Sequence, residues 1–548
     1  MERSYDFVVV GAGASGATIA SRLAHTAAAP SILLIEAGSS NLDVAYLDSA
    51  KRFKNASDPN SPMNWGYKTT AQHQLAGQEI DYSRGRGLGG STAINFYGWT
   101  IGPKDDYDEW ANLVGNERFA WQNVKRILRR IENLDTKIPQ PHMRKYLDAT
   151  KEDHSESGNL ALSYGEEWRS DIEDTFIAAE QSGHRMNHDI NNGDPIGMGM
   201  GAVSISNGLR QTSATAYLYG PPSNISILTD AHVSRILFDS HRAIGVETVE
   251  GRKFLATKEV ILSAGAINSP QILMLSGIGS TEEIKKHNIE VIKDLAMVGK
   301  NLQDHCFAGT GILVKKDPTL PYGPPQTPTP MAFLKLPGVS SSSEFQELPD
   351  RIKRHLQKAT VPAIELASNS SIALPGHNLD PSTCYVGTLC INMNPQSRGT
   401  LSLRSSNPRD KPLIDPKFLT HPFDRRVLIE GMREAGRILS APVYAQRTVK
   451  KFGPKNESDE GIFEHIKGSI QSAWHMAGTA AMGLDAKSAV VDSKFKVFGV
   501  EGLRVVDMSV CPFVINAHVQ STAYIVGEIA ADVIAEEHTL GHIVSEGC

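Results

Sequence analysis

The chain has 548 residues, 40% of them hydrophobic, and a formal net charge of −6. This length accommodates two or more domains with substantial cores. The dispersed lysines and arginines offer no basic surface for nucleic acid, and no apolar run approaches the roughly 18 residues that a membrane span needs. The sequence therefore predicts an enzyme-sized, two-domain protein with no nucleic-acid partner and no membrane span.

The cellular location is predicted from the N-terminus and the cysteines. The first predicted strand begins almost at once, which leaves no room for a signal peptide. The five cysteines include no CxxC pair and are typical of a reducing compartment rather than a disulfide framework. Both features predict a cytoplasmic protein, although the mature form of a secreted protein would have the same pattern.

The first predicted element is an apolar strand that begins near Phe7 and runs into a GxGxxG motif formed by Gly11, Gly13 and Gly16. A helical stretch and a second apolar strand follow, and an acid, Glu36, ends that strand. This order is that of a dinucleotide-binding βαβ unit. The glycines permit a tight turn, close approach of a pyrophosphate and close helix packing, and the acid can bind a ribose hydroxyl. We therefore expect a bound dinucleotide.

A second glycine cluster occupies residues 84–95, where four glycines fall within six residues. Such a backbone can lie against a flat ligand or a pyrophosphate. The apolar residues Phe96, Tyr97 and Trp99 follow at once, which argues against a flexible linker. The cluster is therefore predicted to be a second ligand-binding loop.

The middle of the chain has a different pattern of charged, apolar and proline residues. Residues 105–195 are charged and helical in pattern, and strands are predicted from Ile225 onward, including a buried strand at 260–263 that leads into a short helix. Residues 316–345 are rich in proline, glycine and serine, and a functional lid and a disordered loop are equal alternatives for them. Residues 397–403 are predicted to enter an antiparallel sheet, and α/β texture returns at residues 503–507 before a final helix.

Two long motifs resemble signatures of the glucose-methanol-choline (GMC) family of FAD oxidoreductases. Residues 85–95, GRGLGGSTAIN, with Trp99 and Asp108, are similar to the first signature, and residues 265–279, GAINSPQILMLSGIG, to the second. NLQDH at 301–305, WHMAGT at 474–479 and NAHVQ at 516–520 are also similar to family segments. The resemblance runs from Phe7 to about Val533, and the tail is especially similar to those of intracellular fungal members.

The resemblance implies an α/β fold with two domains. A Rossmann-like FAD-binding domain would be built from the separate segments 1–105, 195–305 and 472–540. A substrate domain with an antiparallel sheet and helices would comprise residues 106–194 and 306–471.

The resemblance also implies which residues bind FAD. They are Gly11, Gly13, Gly16 and Glu36 for the ADP half, Val233 for adenine, Arg86, Gly90, Thr92 and Asn95 along the pyrophosphate and flavin, Asp507 near the ribityl chain and Val519 at the pyrimidine ring. Ile94 stands where some members carry a histidine bonded to the flavin, so noncovalent FAD is expected.

Alcohol oxidation requires a base, because the hydroxyl loses a proton as a hydride moves from carbon to flavin N5. Histidine, with an ordinary pKa of about 6.5, is suited to this role. We assign it to His475, with His518 bonded to the same oxygen; which of the two takes the proton stays open. His305 is predicted to be structural, and no histidine spacing indicates a metal site.

The predicted function is FAD-dependent oxidation of an alcohol CH–OH group, with O2 or another electron acceptor. A lyase or cyclase that retains FAD as a structural cofactor is the alternative, because fold does not determine chemistry. A nicotinamide-dependent dehydrogenase and a catalytically silent binding protein are less favoured. The apolar character of Phe96, Tyr97, Trp99 and Trp474 predicts a pocket for an apolar or aromatic alcohol.

Overall fold

The computed structural model describes residues 3–43, 47–48, 58, 60–150, 152–166, 168–169, 171–319, 329–369 and 380–542. Two seven-stranded sheets organise this part of the chain. One is largely parallel and carries the first glycine motif, and the other is antiparallel. This architecture confirms the predicted α/β fold with a nucleotide-binding sheet and a second, antiparallel sheet.

The first sheet, which we name the nucleotide sheet, has the strand order Ile225–Leu228, Ile32–Ile35, Arg3–Val10, Lys253–Leu262, Arg242–Thr248 and Val233–Asp239. Leu503–Val505 pairs in parallel with the second half of Lys253–Leu262. Buried apolar runs occupy the second half of Arg3–Val10, all of Ile32–Ile35 and the end of Lys253–Leu262, because a parallel sheet is covered on both faces. The last two strands of the order are antiparallel additions at one edge.

The second sheet, which we name the substrate sheet, has the order Thr448–Phe452, Cys306–Lys315, Thr383–Asn392, Ile364–Asn369, Pro330–Leu334 and Gly197–Met200. Gln471–Ser472 pairs with the start of Cys306–Lys315. Successive strands are antiparallel, so alternate side chains point to opposite faces. Gly197–Met200 lies in this sheet although the predicted boundaries assign it to the FAD-binding segments; the domain division itself stays a prediction.

Helices and short ladders surround the two sheets. The helices are Ala14–Ala24, Lys104–Val114, Trp121–Ile131, Ile172–Gln181, Ser213–Tyr217, Gly265–Leu275, Thr281–Lys286, Pro337–Ser340, Ser343–Gln346, Asp350–Gln357, Pro422–Leu439, Pro442–Ala445, Asp459–Ser469 and Gln520–Glu537. The short pairs are Gly98–Trp99 with Ala202–Val203, Glu132–Leu134 with Leu160–Leu162, Ile205–Ser206 with Leu209–Arg210, Ile278–Gly279 with Lys293–Asp294, and Thr400–Ser402 with Leu413–Asp415. In the described part of the chain, no helix has both the length and the apolar character of a membrane span.

The proline-rich segment 316–345 is only partly a loop. Residues 320–328 lie outside the described residues, but Pro330–Leu334 is a strand and Pro337–Ser340 is a helical turn. For residues 330–345 the disordered-loop alternative is therefore wrong, and the lid alternative stays a prediction. Proline is compatible with the first residue of a strand and with the first turn of a helix, and these are the positions of Pro330 and Pro337.

The cysteines Cys306, Cys384, Cys390 and Cys511 are buried and unbonded to one another. Burial raises the pKa of each of these thiols above its ordinary value. Cys548 lies outside the described residues. The four thiols are therefore protonated, apolar core groups.

Candidate active site

The two histidines predicted to be catalytic lie next to each other. His475 follows the short strand Gln471–Ser472 of the substrate sheet, and His518 lies two residues before the helix Gln520–Glu537. Their ring centroids are 5.3 Å apart, with an angle of 42° between the ring planes. The structure thus brings together two segments of the C-terminal region at the junction between the two sheets.

The backbones beside the two histidines are fixed by buried carboxylates. Asp304 accepts hydrogen bonds from the backbone N–H of His475, at 2.7 Å, and from the Ser472 hydroxyl, at 2.5 Å. Asp106 accepts from the backbone and side-chain amides of Asn516, both at 2.8 Å. Burial raises the pKa of Asp304 to about 7. The hydrogen bonds of Asp304 and Asp106 to buried backbone groups hold both loops in place before any substrate binds.

A third histidine contacts His475 edge to face. The Nδ1 atoms of His305 and His475 are 2.9 Å apart, and the ring planes make an angle of 85°. Burial, together with the neighbouring His305, His518 and Arg84, lowers the pKa of His475 well below its ordinary value. His475 is therefore neutral at neutral pH.

A carboxylate that the sequence analysis missed contacts His518. Glu365, with 0% exposure, lies in the substrate-sheet strand Ile364–Asn369, and its carboxylate oxygens are 2.9 and 3.1 Å from Nε2 of His518. Burial alone would lower the pKa of His518, but the charge and hydrogen bond of Glu365 raise it above its ordinary value. The pKa values of the two neighbouring imidazoles are thus shifted in opposite directions, which favours the neutral form of His475 and the protonated form of His518.

The position of the His518 ring also requires glycine at residue 98. A Cβ added there would lie 2.5 Å from His518 Nδ1. The backbone N–H of His518 donates to the Thr100 hydroxyl at 2.6 Å. The ring is therefore held between Gly98 and Glu365, and its side chain keeps 22% exposure.

The GxGxxG turn has the close approaches that the sequence predicts. A Cβ on Gly16 would lie 1.9 Å from the Gly11 carbonyl oxygen, and one on Gly11, which has φ +99°, would lie 2.4 Å from the Ser263 carbonyl oxygen. Strand and helix can therefore pack this closely only with glycine at these positions. The turn leads directly into the N-terminus of the helix Ala14–Ala24.

Gly13 is different, because the protein itself leaves space in front of it. The nearest atom to an added Cβ is the Gly90 Cα at 4.0 Å, and an added Cβ on Gly265, at the start of another helix, would meet nothing within 4 Å. The open cradle at the N-terminus of the helix Ala14–Ala24 suits a diphosphate, since the N–H groups of a helix N-terminus and the helix dipole both attract anions. At the other helix the Gly265 N–H already donates to Asp507. These residues fit the FAD that the sequence predicts.

The remaining predicted FAD residues form a connected group around these glycines. Glu36 accepts N–H bonds from Ala12 and Gly87, both at 2.9 Å, and so joins the two glycine clusters. Asp507 accepts from the Gly265 N–H at 2.9 Å and from the Ser269 hydroxyl at 2.5 Å.

Three other residues in this set make side-chain hydrogen bonds within the protein: Arg86 donates to the Ala37 carbonyl, Thr92 to the Gly89 carbonyl and Asn95 to Gln520. The remaining three are described by position: Gly90 lies against Gly13, Val233 begins a strand of the nucleotide sheet, and Val519 precedes the last helix. Their contacts with FAD stay predictions.

Gly13→Ala tests this cradle. Gly13 has φ −73° and ψ −170°, which alanine adopts without strain, so we expect the thermal midpoint of the FAD-free protein to be unchanged. We expect FAD binding to weaken by at least about tenfold, or about 1.4 kcal/mol, because the methyl group fills the space in front of the helix. Calorimetric titration with FAD measures this.

Gly436→Ala is the matched control, since a Cβ there also meets nothing within 4 Å but lies on the exposed side of the helix Pro422–Leu439. Unchanged FAD affinity in Gly13→Ala would contradict a diphosphate at this turn.

The predicted aromatic pocket is partly wrong. Trp99 is 1% exposed and donates its indole N–H to Glu132 at 2.8 Å, and the Tyr97 ring is buried beneath the Arg210 guanidinium. Both belong to the core, because the segment after the second glycine cluster turns inward. Phe96, at 38% exposure, packs near Trp474 with ring centroids 5.8 Å apart, and Phe307 lies 6.4 Å from the same indole.

The substrate-sheet face that carries Glu365 is otherwise apolar. Register pairs Phe307 with Ile391, Ile391 with Glu365, and Glu365 with Phe333, so all four point to one face. An apolar cluster of Ile190, Met331, Phe333, Ala367, Ile391 and Met393 covers this side, with Phe307 and Leu389 packed against it. Among the described residues, no group of three or more histidine, cysteine or acidic side chains could hold a metal ion.

Comparisons with known proteins agree with this site. Family profiles described as GMC oxidoreductase match residues 5–307 and 395–527. Alcohol dehydrogenase (acceptor) of Pseudomonas putida is 30% identical over 97% of this chain and 96% of its own length, and pyranose dehydrogenase of Agaricus campestris is 32% identical over 97% and 94%.

A solved structure of an FAD-dependent oxidoreductase from Chaetomium thermophilum superimposes with a TM-score of 0.85, at 26% identity, and covers 98% of this chain and 100% of that one. The profiles, the full-length relatives and the cradle at Gly13 lead to one assignment. The chain belongs to the GMC oxidoreductase family and is an FAD-dependent oxidoreductase that oxidises CH–OH groups.

Proposed function

We propose that this protein oxidises apolar or aromatic alcohols, with His475 as the base and His518 as a cationic partner. The observation that carries the proposal is the adjacent pair of imidazoles, one of them hydrogen-bonded to Glu365, beside an apolar sheet face. Their pKa values are shifted in opposite directions. FAD, when bound, supplies the acceptor for the hydride that leaves the alcohol carbon. The protein must then remove the hydroxyl proton and stabilise charge on the oxygen.

His475 is the better proton acceptor of the two. It is neutral, and its Nε2 has no polar partner among the described residues, whereas Nε2 of His518 is taken by Glu365. A positioned general base of this kind contributes about 10²–10⁴-fold to proton-transfer steps. The cationic His518 attracts the oxygen as negative charge develops on it, which favours loss of the proton to His475.

The substrate class follows from the surfaces around the pair. Phe96, Phe307 and Trp474 offer aromatic contacts, and the only acid on the neighbouring sheet face, Glu365, is already paired with His518. A cationic alcohol would find no unpaired carboxylate among these residues. This favours alcohols with an uncharged apolar or aromatic substituent.

The FAD is proposed to be noncovalent, because the aliphatic Ile94 has no group that could bond to it. A cytoplasmic location is proposed from the cysteine usage, and kinship with intracellular fungal members from the motifs of the C-terminal region. Either O2 or another acceptor would reoxidise the enzyme.

Anaerobic mixing of the holoenzyme with benzyl alcohol, hexanol and choline tests the proposal. We expect benzyl alcohol and hexanol to bleach the flavin absorbance and choline to act much more slowly. Benzyl methyl ether, which has no hydroxyl proton, is the matched control and should leave the spectrum unchanged. A flavin that no alcohol bleaches would favour the lyase or cyclase alternative, and readmitting air distinguishes O2 from other acceptors.

A further inference from the structure

His305 has a partner on each ring nitrogen although it lies fully inside the protein. Its Nε2 is 3.1 Å from the carbonyl oxygen of Met393, and its Nδ1 is 2.9 Å from Nδ1 of His475. The side chain has 0% exposure, and Met393 directly follows the substrate-sheet strand Thr383–Asn392. The ring therefore bridges the substrate sheet and the candidate base.

These contacts determine where the protons are. A carbonyl oxygen only accepts hydrogen bonds, so Nε2 of His305 must carry a hydrogen. Burial and the nearby His518 lower the pKa of His305 to about 3, so the ring is neutral and has a single N–H. Its Nδ1 is therefore a bare acceptor, and the contact with His475 requires a hydrogen on Nδ1 of His475.

The opposite arrangement would need a cationic His305 that donates to His475. That cation would lie in full burial near His518, whose raised pKa favours its own cationic form, with a single carbonyl as its other partner. Burying an unpaired charge costs far more than one hydrogen bond returns. The neutral arrangement is the one that this geometry supports.

We propose that His305 is a positioning residue that fixes His475 in the Nδ1–H tautomer, which leaves Nε2 of His475 as the lone pair that receives the alcohol proton. The proposal rests on the proposed function, because it specifies the nitrogen of the base. A neutral imidazole has one donor and one acceptor nitrogen, so the partner of one nitrogen decides the role of the other.

A pair of variants separates positioning from packing. His305→Gln keeps an amide oxygen for the His475 N–H and an amide N–H for the Met393 carbonyl, whereas His305→Leu fills the space without either group. We expect anaerobic flavin reduction by the best alcohol to slow by about 10- to 100-fold in the Leu variant and by less than about fivefold in the Gln variant. FAD content and thermal midpoint should be similar in both variants.

The tautomer itself is measured by ¹⁵N NMR of the histidine-labelled holoenzyme, with His475→Gln used to assign the signals. We expect the wild-type protein to show His475 with hydrogen on Nδ1 only and the Leu variant to show a mixture. A wild-type His475 with hydrogen on Nε2, or equal reduction rates in the Gln and Leu variants, would overturn the proposal. The NMR result needs no alcohol, so it separates failure of this proposal from failure of the proposed function.

Discussion

His475→Ala is expected to keep FAD and to slow anaerobic flavin reduction by at least about a hundredfold, the usual scale for loss of a general base. Within the described part of the chain, the hydrogen bond and ring contacts of this side chain are with His305 and His518, so its removal should leave the cofactor cradle intact. Stopped-flow absorbance with a saturating alcohol measures the rate. Added imidazole should restore part of it by occupying the space that the side chain leaves.

His241→Ala is a suitable control for this variant. His241 is an exposed histidine, and its backbone carbonyl accepts a hydrogen bond from the Glu501 N–H. We expect its reduction rate and FAD content to match the wild type. An unchanged rate of flavin reduction in His475→Ala would show that His475 is not the base and would make His518 the next candidate.

Glu365→Gln is expected to change the pH dependence of flavin reduction. The raised pKa of His518 extends its charged form to higher pH than an ordinary histidine, so the rate should fall as pH rises through that raised value. The low pKa of His475 means that protonation of His475 itself causes no loss near pH 6. Burial raises the pKa of Asp304, which accepts from the His475 backbone, to about 7, so any acid-side change in this range belongs to Asp304. With the carboxylate removed, burial dominates and lowers the pKa of His518, so the alkaline decline moves to lower pH.

At pH 7.5 we expect the Gln variant to reduce its flavin about ten times more slowly or worse, in line with the loss of one charge-stabilising group. The free energy of unfolding should also be lower in the Gln variant than in the wild type. A histidine whose pKa is raised in the folded state stabilises the protein fully at pH values below its unfolded-state pKa of about 6.5. This stabilisation is lost as pH rises through the folded-state pKa. The variant should therefore lose stability mainly at low and neutral pH, measured as the thermal midpoint across a pH series.

Glu501→Gln, at an exposed glutamate whose ion-pair distance to Arg242 is 3.7 Å, controls for the change of charge alone. Its pH profile should overlay that of the wild type. An alkaline decline at the same pH in Glu365→Gln and wild type would mean that Glu365 does not set the protonation of His518.

The cofactor turn could be predicted from sequence because its causes are local. Gly11, Gly13 and Gly16 act within one turn, and the order of strand, turn and helix is written in consecutive residues. The nearness of His475 and His518 followed from motif resemblance. Pattern alone would not have paired them.

The partners of these histidines depend on tertiary structure. Glu365 is 153 residues from His518, and His305 is 170 residues from His475, so neither contact has a sequence spacing to reveal it. A single acid in the apolar strand Ile364–Asn369 was the available signal for Glu365. Trp99 was assigned to the pocket because an aromatic residue in a short loop does not reveal which way it points; its indole hydrogen bond to Glu132 decides that.

The burial of the thiols affects how easily hydrogen peroxide can oxidise the cysteines of this protein. If dioxygen reoxidises the flavin, hydrogen peroxide forms inside the molecule, and peroxide attacks thiolates rather than thiols. Cys306, Cys390 and Cys511 are inaccessible to solvent and remain protonated. Repeated turnover in air would therefore leave the sulfur atoms of these core cysteines unoxidised.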